Sequence, residues 1–186
     1  LDIDLDILKI EETLDYLLLE KGEVVIMSSH LDNPGIQCTP IGEGRIVAIM
    51  PEGHVLARKL AVSIHDLVQY PFIGVDPSDP YGKTLARPFD DAGLTPRHAM
   101  RGRFAQTIVS LVRHGLGVAV IDEFSVAEVY MAGLVRRPLV EPATITAWSV
   151  QKRGRQLSSF AEQTVTLFRR ELGRARARER WDQPAD

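Results

Sequence analysis

The stretch Ile108-Val-Ser-Leu-Val-Arg-His-Gly-Leu-Gly-Val-Ala-Val-Ile121 decides the fold of this chain. Apolar residues recur at helical spacing through its first half, which predicts a helix over residues 106–114. Gly115 and Gly117 end that helix. The unbroken apolar run 118–121 is then typical of a strand buried on both faces of a parallel sheet. A helix that leads directly into a buried strand is the repeating unit of α/β folds.

The same alternation continues along the rest of the chain. Residues 1–8 alternate apolar and acidic side chains and predict a strand, and the helix 10–22 and the buried strand 24–27 complete one βαβ unit. Further predicted strands are 36–41, 45–50, 72–75, 98–103 and 145–151, and further predicted helices are 64–69, 80–92, 125–132 and 159–172. A capping box, Ser159-x-x-Glu162, marks the start of the last helix. Strands and helices at this spacing predict an α/β fold with parallel sheets.

The predicted elements fall into two groups. Residues 1–70 together with 146–172 form a first predicted lobe, and residues 71–145 form a second one. Residues 173–186 are a basic and polar tail that we expect to fray. Two Rossmann-like lobes joined by a hinge bind ligands at the carboxyl ends of their strands, so we expect the functional residues in the loops that follow those strands.

Composition excludes several classes of protein. The chain has 186 residues, 22 Lys+Arg against 25 Asp+Glu, and a net charge of −3, which gives no basis for general nucleic-acid binding. The single cysteine, Cys38, excludes an internal disulfide and a Cys-rich metal site. The acidic start is not a secretory signal, and no apolar run approaches the 18 or so residues that span a membrane. We therefore expect a cytoplasmic protein without membrane contact.

The sequence contains no catalytic, metal or cofactor constellation. The five histidines are scattered, and P-loop, nucleophile-elbow and dinucleotide-binding motifs are absent. Asp122 and Glu123 follow a buried strand, but adjacent strand residues point to opposite faces and are poorly placed to act as one acid–base pair. We expect no enzyme activity, no metal and no cofactor.

Polar loops at strand ends carry the candidate binding chemistry. In Asp76-Pro-Ser-Asp-Pro-Tyr-Gly82, free N–H groups at a helix start favour a carboxylate, and Asp76 and Asp79 favour an ammonium or guanidinium group. Ser28 and Ser29 end another buried strand, and Arg103-Phe-Ala-Gln106 offers an aromatic wall beside polar groups. The alternatives are an ordinary helix cap at Asp79 and core packing of Phe104; a cap and a binding role are compatible.

At these residues the sequence resembles the effector-binding domain of LysR-type transcriptional regulators, over about residues 1–172. The matching pieces occur in the family's order: Leu17-Leu-Leu-Glu-Lys-Gly-Glu23 with Val24-Val-Ile-Met-Ser28, Pro40-Ile-Gly-Glu-Gly-Arg-Ile-Val-Ala-Ile-Met-Pro51, Gly53-His-Val-Leu-Ala57, Ile64-His-Asp-Leu67, Pro71-Phe-Ile73, Ala92-Gly-Leu-Thr-Pro96, and the opening stretch 108–121. Their order and spacing, rather than one motif, carry the resemblance.

The resemblance implies two Rossmann-like lobes of the type 2 periplasmic-binding-protein kind, with a small-molecule effector in the cleft. The residues expected around it are Ser28 and Ser29 on one lobe and Asp76, Ser78, Asp79, Tyr81, Arg103, Phe104, Gln106 and Asp122 on the other. It also implies homodimers or tetramers, and contact with DNA only through an N-terminal helix-turn-helix. That element and the family's first strand and helix are missing here, so we expect this chain to be a fragment.

A finer resemblance joins Gly74-Val-Asp-Pro-Ser-Asp-Pro-Tyr-Gly82 to regulators of opine catabolism and lysine biosynthesis. It implies an amino-acid-derived effector that carries both a carboxylate and a cationic group. Two other hypotheses stay open on the sequence: a free-standing solute-binding protein and an enzyme built on the same fold. A helix-turn-helix upstream of Leu1 would favour the regulator, and a signal peptide would favour the solute-binding protein.

Overall fold

The computed structural model describes residues 4–126 and 131–177, with side chains in the last helix described as far as residue 173. The helices in this part of the chain are α1 (Ile10–Leu18), α2 (Ile64–Leu67), α3 (Pro80–Asp91), α4 (Ala105–Arg113) and α5 (Ser159–Ala177). The strands are β1 (Val24–Met27), β2 (Ile36–Pro51), β3 (Phe72–Val75), β4 (His98–Gly102), β5 (Ala119–Asp122), β6 (Leu134–Pro138) and β7 (Thr144–Lys152). Two short 3-10 turns, Val55–Arg58 and Glu123–Val126, follow β2 and β5. The α/β fold class is confirmed.

The chain divides into two compact units. The first comprises residues 1–42 and 146–171, and the second comprises residues 43–145 with the described residues from Leu172. The chain passes from one unit to the other inside β2, again inside β7, and a third time inside α5, between Glu171 and Leu172. The sequence places the first boundary after residue 70, whereas residues 43–70 belong to the second unit. The reason is that residues 46–51 of β2 pair with strands of that unit.

The first unit is built on β1 and β7. They pair antiparallel, from Val24 opposite Gln151 to Met27 opposite Trp148, and β7 neighbours β2. Helix α1 packs on this sheet through Leu17, which lies with Ile36 and Val150 in a small buried cluster. The expected parallel pairing of β1 is therefore wrong: its partner is an antiparallel strand more than a hundred residues away, which the apolar run alone does not reveal.

The second unit holds the larger hydrophobic core. Strand β2 pairs antiparallel with β5 on one side and with β6 on the other. Strand β3 pairs parallel with β4, and hydrogen bonds from Ile73 N to Val118 O (2.8 Å) and from Val118 N to Pro71 O (2.9 Å) join β3 to the start of β5. Helices α3 and α4 cover β3 with buried side chains that include Leu85, Phe89 and Ile108.

Three further predictions about elements differ from the structure. Residues 4–8 form no strand, and Leu5 and Ile7 are 90% and 80% exposed, because no described strand pairs with them. The two strands predicted on either side of Gly42-Glu-Gly44 are one strand, β2. Helix α5 continues through residues 173–177, which were expected to fray, while residues 178–186 lie outside the described part.

Two helix starts also differ from the sequence predictions. The hydroxyl of Ser158, not that of Ser159, accepts a hydrogen bond from the Ala161 amide at the start of α5 (3.3 Å). The chain after β5 enters the 3-10 turn Glu123–Val126 where a helix over 125–132 was predicted, and residues 127–130 of that prediction lie outside the described residues.

Candidate functional site

The carboxyl ends of β3, β4 and β5 meet at one edge of the second unit. Strands β3 and β4 run parallel, and a parallel bridge between Phe72 and Val118 gives the segment leading into β5 the same direction. Each strand is followed by a loop or turn that carries predicted site residues: 76–79 before α3, 103–104 before α4, and Asp122 before the turn Glu123–Val126. Parallel strands therefore bring eight of the ten predicted site residues to the same edge of one sheet.

Asp76 and Ser78 form a closed turn in the first of these loops. Oδ1 of Asp76 accepts hydrogen bonds from the Ser78 amide (2.9 Å) and the Ser78 hydroxyl (2.8 Å). The Ser78 amide, then its hydroxyl, lower the pKa of Asp76, and the charges of Arg101 and Arg103 act in the same direction. Asp76 is therefore a carboxylate anion with neighbouring cations, held by its own loop.

Asp79 begins helix α3 as a side-chain cap. Its Oδ1 accepts a hydrogen bond from the Tyr81 amide (2.8 Å), and Pro80 occupies the first helical position. The cap predicted from the sequence is confirmed. A side chain at Gly82 would place its Cβ 2.2 Å from the carbonyl oxygen of Asp76, so only glycine allows the helix start to pack this closely on the preceding loop.

Tyr81 and Asp122 are joined directly. The Tyr81 hydroxyl donates to Oδ2 of Asp122 at 2.5 Å, and Asp122 also accepts from the amide and the hydroxyl of Ser125, both at 2.8 Å. Asp122 is 2% exposed. Burial, followed by the charge of Asp122, holds the pKa of Tyr81 well above its usual value, so this hydroxyl keeps its proton and remains a donor.

The β4–α4 connection presents exposed groups. Phe104 has extended backbone at the start of α4 and is 40% exposed, so the alternative of core packing for this ring is wrong. Arg103 and Gln106 are exposed beside it. No side-chain cap closes the N-terminus of α4, in contrast to α3. This helix start combines N–H donors, an arginine and an aromatic face.

Ser28 and Ser29 lie in the first unit, in the bend that follows β1. Ser28 is half-buried and Ser29 is 7% exposed. The structure thus places them at a strand end, as the sequence predicts, and their role stays a prediction. The same unit contains a cavity of about 470 Å³ lined by residues that include His30, Cys38 and Arg153, which the sequence did not single out.

Ser125 is the residue at this edge that sequence reasoning missed. Its amide and hydroxyl both bind Asp122, and the spacing Asp122-x-x-Ser125 is the three-residue reach of a helix cap. That spacing is the available signal in the sequence, but Ser125 also begins the predicted helix 125–132, which obscures it. Glu123 has a different partner from Asp122: it accepts from the Arg45 amide (2.8 Å) and Arg45 Nε (3.4 Å).

The described residues form neither a metal cluster nor a membrane-spanning helix. Among residues 4–126 and 131–177, no three His, Cys, Asp or Glu side chains are grouped so that they could hold a metal ion. In the same part of the chain, no helix combines the length and the apolar character needed to cross a membrane.

Comparisons with known proteins agree on one family for this chain. The model of the LysR substrate binding domain matches residues 1–173. Regulatory protein NocR of Agrobacterium tumefaciens (strain T37) is 26% identical over 138 residues, covering 74% of this chain and 46% of NocR. This chain thus spans about half the length of that relative.

Solved structures show the same fold. HinK, a LysR family transcriptional regulator from Pseudomonas aeruginosa, superimposes with a TM-score of 0.75 at 24% identity, over 89% of this chain and 59% of HinK. The effector-binding domain of QuiR, solved in complex with shikimate, gives a TM-score of 0.71 at 16% identity, over 91% of this chain and 79% of that one.

Proposed function

This chain belongs to the LysR substrate-binding domain family, and from that premise we propose that it is the part of a LysR-type transcriptional regulator that binds the small-molecule effector. The strand-end edge of the second unit is the binding surface. The observation that carries this proposal is the meeting of two different helix starts at one edge: α3, which Asp79 caps, and α4, which has no side-chain cap.

The charges at this edge support a zwitterionic effector derived from an amino acid. Asp76 and Asp79 supply negative charge at the start of α3. Arg103 and the first amides of α4 supply positive charge. In this proposal an effector carboxylate lies at the start of α4 near Gln106, a cationic group lies near Asp79, and the Phe104 ring packs on the apolar part between them.

The narrower assignment to opine or lysine regulators rests on the segment 74–82. We propose it as the first effector class to test. QuiR, which has the same fold, was solved with shikimate. Effector chemistry therefore has to be read from the side chains at this edge, since the fold leaves it open.

The wider roles are part of the same proposal. The regulator would assemble as a homodimer or tetramer, act in the cytoplasm, and contact DNA through an N-terminal helix-turn-helix. A free-standing solute-binding protein is the second hypothesis. It is less favoured than a regulator, because NocR and HinK, which this chain resembles, are both regulators.

The test is calorimetric titration of the chain with L-lysine, L-arginine and N2-(1-carboxyethyl)-L-arginine. Agmatine, which lacks the carboxylate, and succinate, which lacks the cation, are the comparison compounds. We expect at least one zwitterion to bind and both comparison compounds to bind at least tenfold more weakly. Binding of succinate alone, or of none of the five compounds, would contradict the proposed effector class.

Asp79→Asn tests the cationic contact. Asparagine keeps the helix cap but loses the charge, so the affinity for a zwitterion is expected to fall about 10- to 150-fold, as for loss of a charge-assisted hydrogen bond. Asp90→Asn, an exposed position near the end of the same helix, is the matched control and should bind like wild type. Equal affinity of the Asp79→Asn and Asp90→Asn variants would remove the charge-pairing role of Asp79.

A further inference from the structure

The carboxylate of Asp122 is occupied by the protein itself. It ends β5, is 2% exposed, and accepts three hydrogen bonds: one from Tyr81 and two from Ser125. Oδ2 holds the two hydroxyl donors and Oδ1 holds the Ser125 amide. The three donor–acceptor distances of 2.5–2.8 Å are typical of strong charge-assisted hydrogen bonds. A buried carboxylate with three such donors has little remaining capacity to accept a hydrogen bond from a ligand.

The partner of Asp122 lies at the start of α3. Tyr81 is the second residue of that helix, and its amide is the one that the Asp79 cap binds. Its hydroxyl crosses to β5, 41 residues further along the chain. The same residue is thus fixed at its backbone by the candidate site and at its side-chain tip by the end of a core strand.

The loop before α3 has no freedom to compensate. Asp76 is closed on itself through Ser78, and Gly82 approaches the Asp76 carbonyl too closely for any side chain. A tilt of the first turn of α3 therefore moves the Asp76–Asp79 loop with it. The hydrogen bond between Tyr81 and Asp122 ties this turn to a distant strand and opposes such a tilt.

We infer that Tyr81 and Asp122 are positioning residues for the effector site: their hydrogen bond sets the direction of the first turn of α3, and through it the place of Asp79. The part of this inference that concerns the effector rests on the proposed function. The part that concerns the position of α3 does not. It revises the prediction that Tyr81 and Asp122 contact the effector directly. They act through the helix start and not through the ligand.

Hydrogen exchange of backbone amides tests the hold on the helix without any ligand. In Tyr81→Phe, which keeps the ring and removes the hydroxyl, amides of residues 83–85 should exchange about tenfold faster. Amides of residues 47–49, at the centre of the core, should change by less than threefold. Thr84→Val is the matched control: it removes another hydroxyl of α3, bonded to the Pro80 carbonyl at 3.0 Å, with no link to β5.

Two outcomes of this first measurement overturn the inference. If Tyr81→Phe leaves residues 83–85 unchanged, the hydrogen bond does not hold the helix. If every protected amide accelerates by one common factor, the bond contributes only to global stability. Asp122→Leu keeps a side chain of similar size without an acceptor, so it should accelerate exchange of residues 83–85 as Tyr81→Phe does. Unchanged exchange in this variant would show that the Asp122 side chain only fills space and would overturn the inference.

Titration with N2-(1-carboxyethyl)-L-arginine tests the link to the site. Its affinity should fall about tenfold in Tyr81→Phe and stay within twofold in Thr84→Val. Local loosening of α3 with unchanged affinity would show that the pair holds the helix without positioning the site, and would overturn the inference. If wild type binds L-lysine or L-arginine instead of this compound, the same comparison is made with that amino acid. If it binds none of the three zwitterions, the proposed effector class fails, and the exchange data alone decide whether the pair positions α3.

Discussion

His54 shows at the scale of one residue how burial makes this protein sensitive to acid. Its Nδ1 accepts a hydrogen bond from the Leu56 amide (3.3 Å), and its ring lies edge-on to Tyr70 with centroids 4.6 Å apart. Burial lowers the pKa of His54, and burial followed by the charge of Arg101 lowers the pKa of His98. Both imidazoles are therefore held neutral in the folded chain.

The direction of the pH effect follows from that difference. An unfolded histidine titrates near pH 6.5, so below this value the unfolded chain binds more protons than the folded one. We expect the free energy of unfolding to fall as the pH is lowered from about 7 to about 5, and to be regained above pH 7. Urea denaturation at a series of pH values measures it.

His54→Asn identifies the source of this effect. Asparagine supplies an acceptor for the Leu56 amide but does not titrate, so the loss of stability between pH 7 and pH 5 should become smaller. His65→Asn, on the exposed face of α2, is the control and should keep the wild-type dependence. An unchanged pH dependence in His54→Asn would assign the effect to other groups.

The candidate site also shows which contacts of single residues can be predicted from the sequence. Asp79 as a cap was predictable, because a cap bonds to an amide two residues away and Pro80 marks the helix start. The Tyr81–Asp122 hydrogen bond was not, because its partners are 41 residues apart and meet only when β3 and β5 are neighbours. Local signals find contacts within a turn, and tertiary contacts need the topology.

At the scale of elements, two neighbouring serines at the start of α5 have different roles. Ser158 caps the Ala161 amide, and its own amide and hydroxyl donate to Glu23 at 2.7 and 3.0 Å. We expect Ser158→Ala to lower the free energy of unfolding by about 1 kcal/mol, measured by urea denaturation, because a helix cap and a partner of Glu23 are lost.

Ser159→Ala is the matched control at the same helix start. Ser159 is the first helical residue and is exposed, so its replacement should change stability by less than about 0.5 kcal/mol. Equal losses in the two variants, or a larger loss at Ser159, would contradict the assignment of the cap to Ser158.

Strand β2 is one continuous strand where the sequence predicts two. Gly42 and Gly44 look like a turn, but a Cβ at Gly44 would lie 2.3 Å from Cζ of Phe124. Gly44 thus leaves room for an aromatic ring from the turn after β5, and the strand continues through it. Residues 4–8 are not a strand for a different reason: an alternating pattern forms a strand only where another strand pairs with it, and no strand in the described part of the chain does so.

At the scale of the whole molecule, the family and the α/β class were predictable because they depend on the order of many short patterns. The boundary between the units was not predictable in the same way. It depends on the register of β2, in which residues 46–51 pair with residues 70 to 91 positions further along the chain. Hydrophobic runs locate strands well, but they do not say which strands become neighbours.

Two of the places where the chain changes units, inside β2 and inside β7, have a consequence for proteases. Domains are usually joined by exposed linkers, which proteases cut first. Here residues 42–43 and 145–146 lie inside β2 and β7, and the nearest basic residue, Arg45, is half-buried and paired with Glu123. Brief treatment with trypsin should therefore cut after Lys9, beside the exposed residues 4–7, well before it cuts after Arg45. Mass spectrometry of the early fragments measures this order, and early cleavage at Arg45 would show that β2 opens at the crossing.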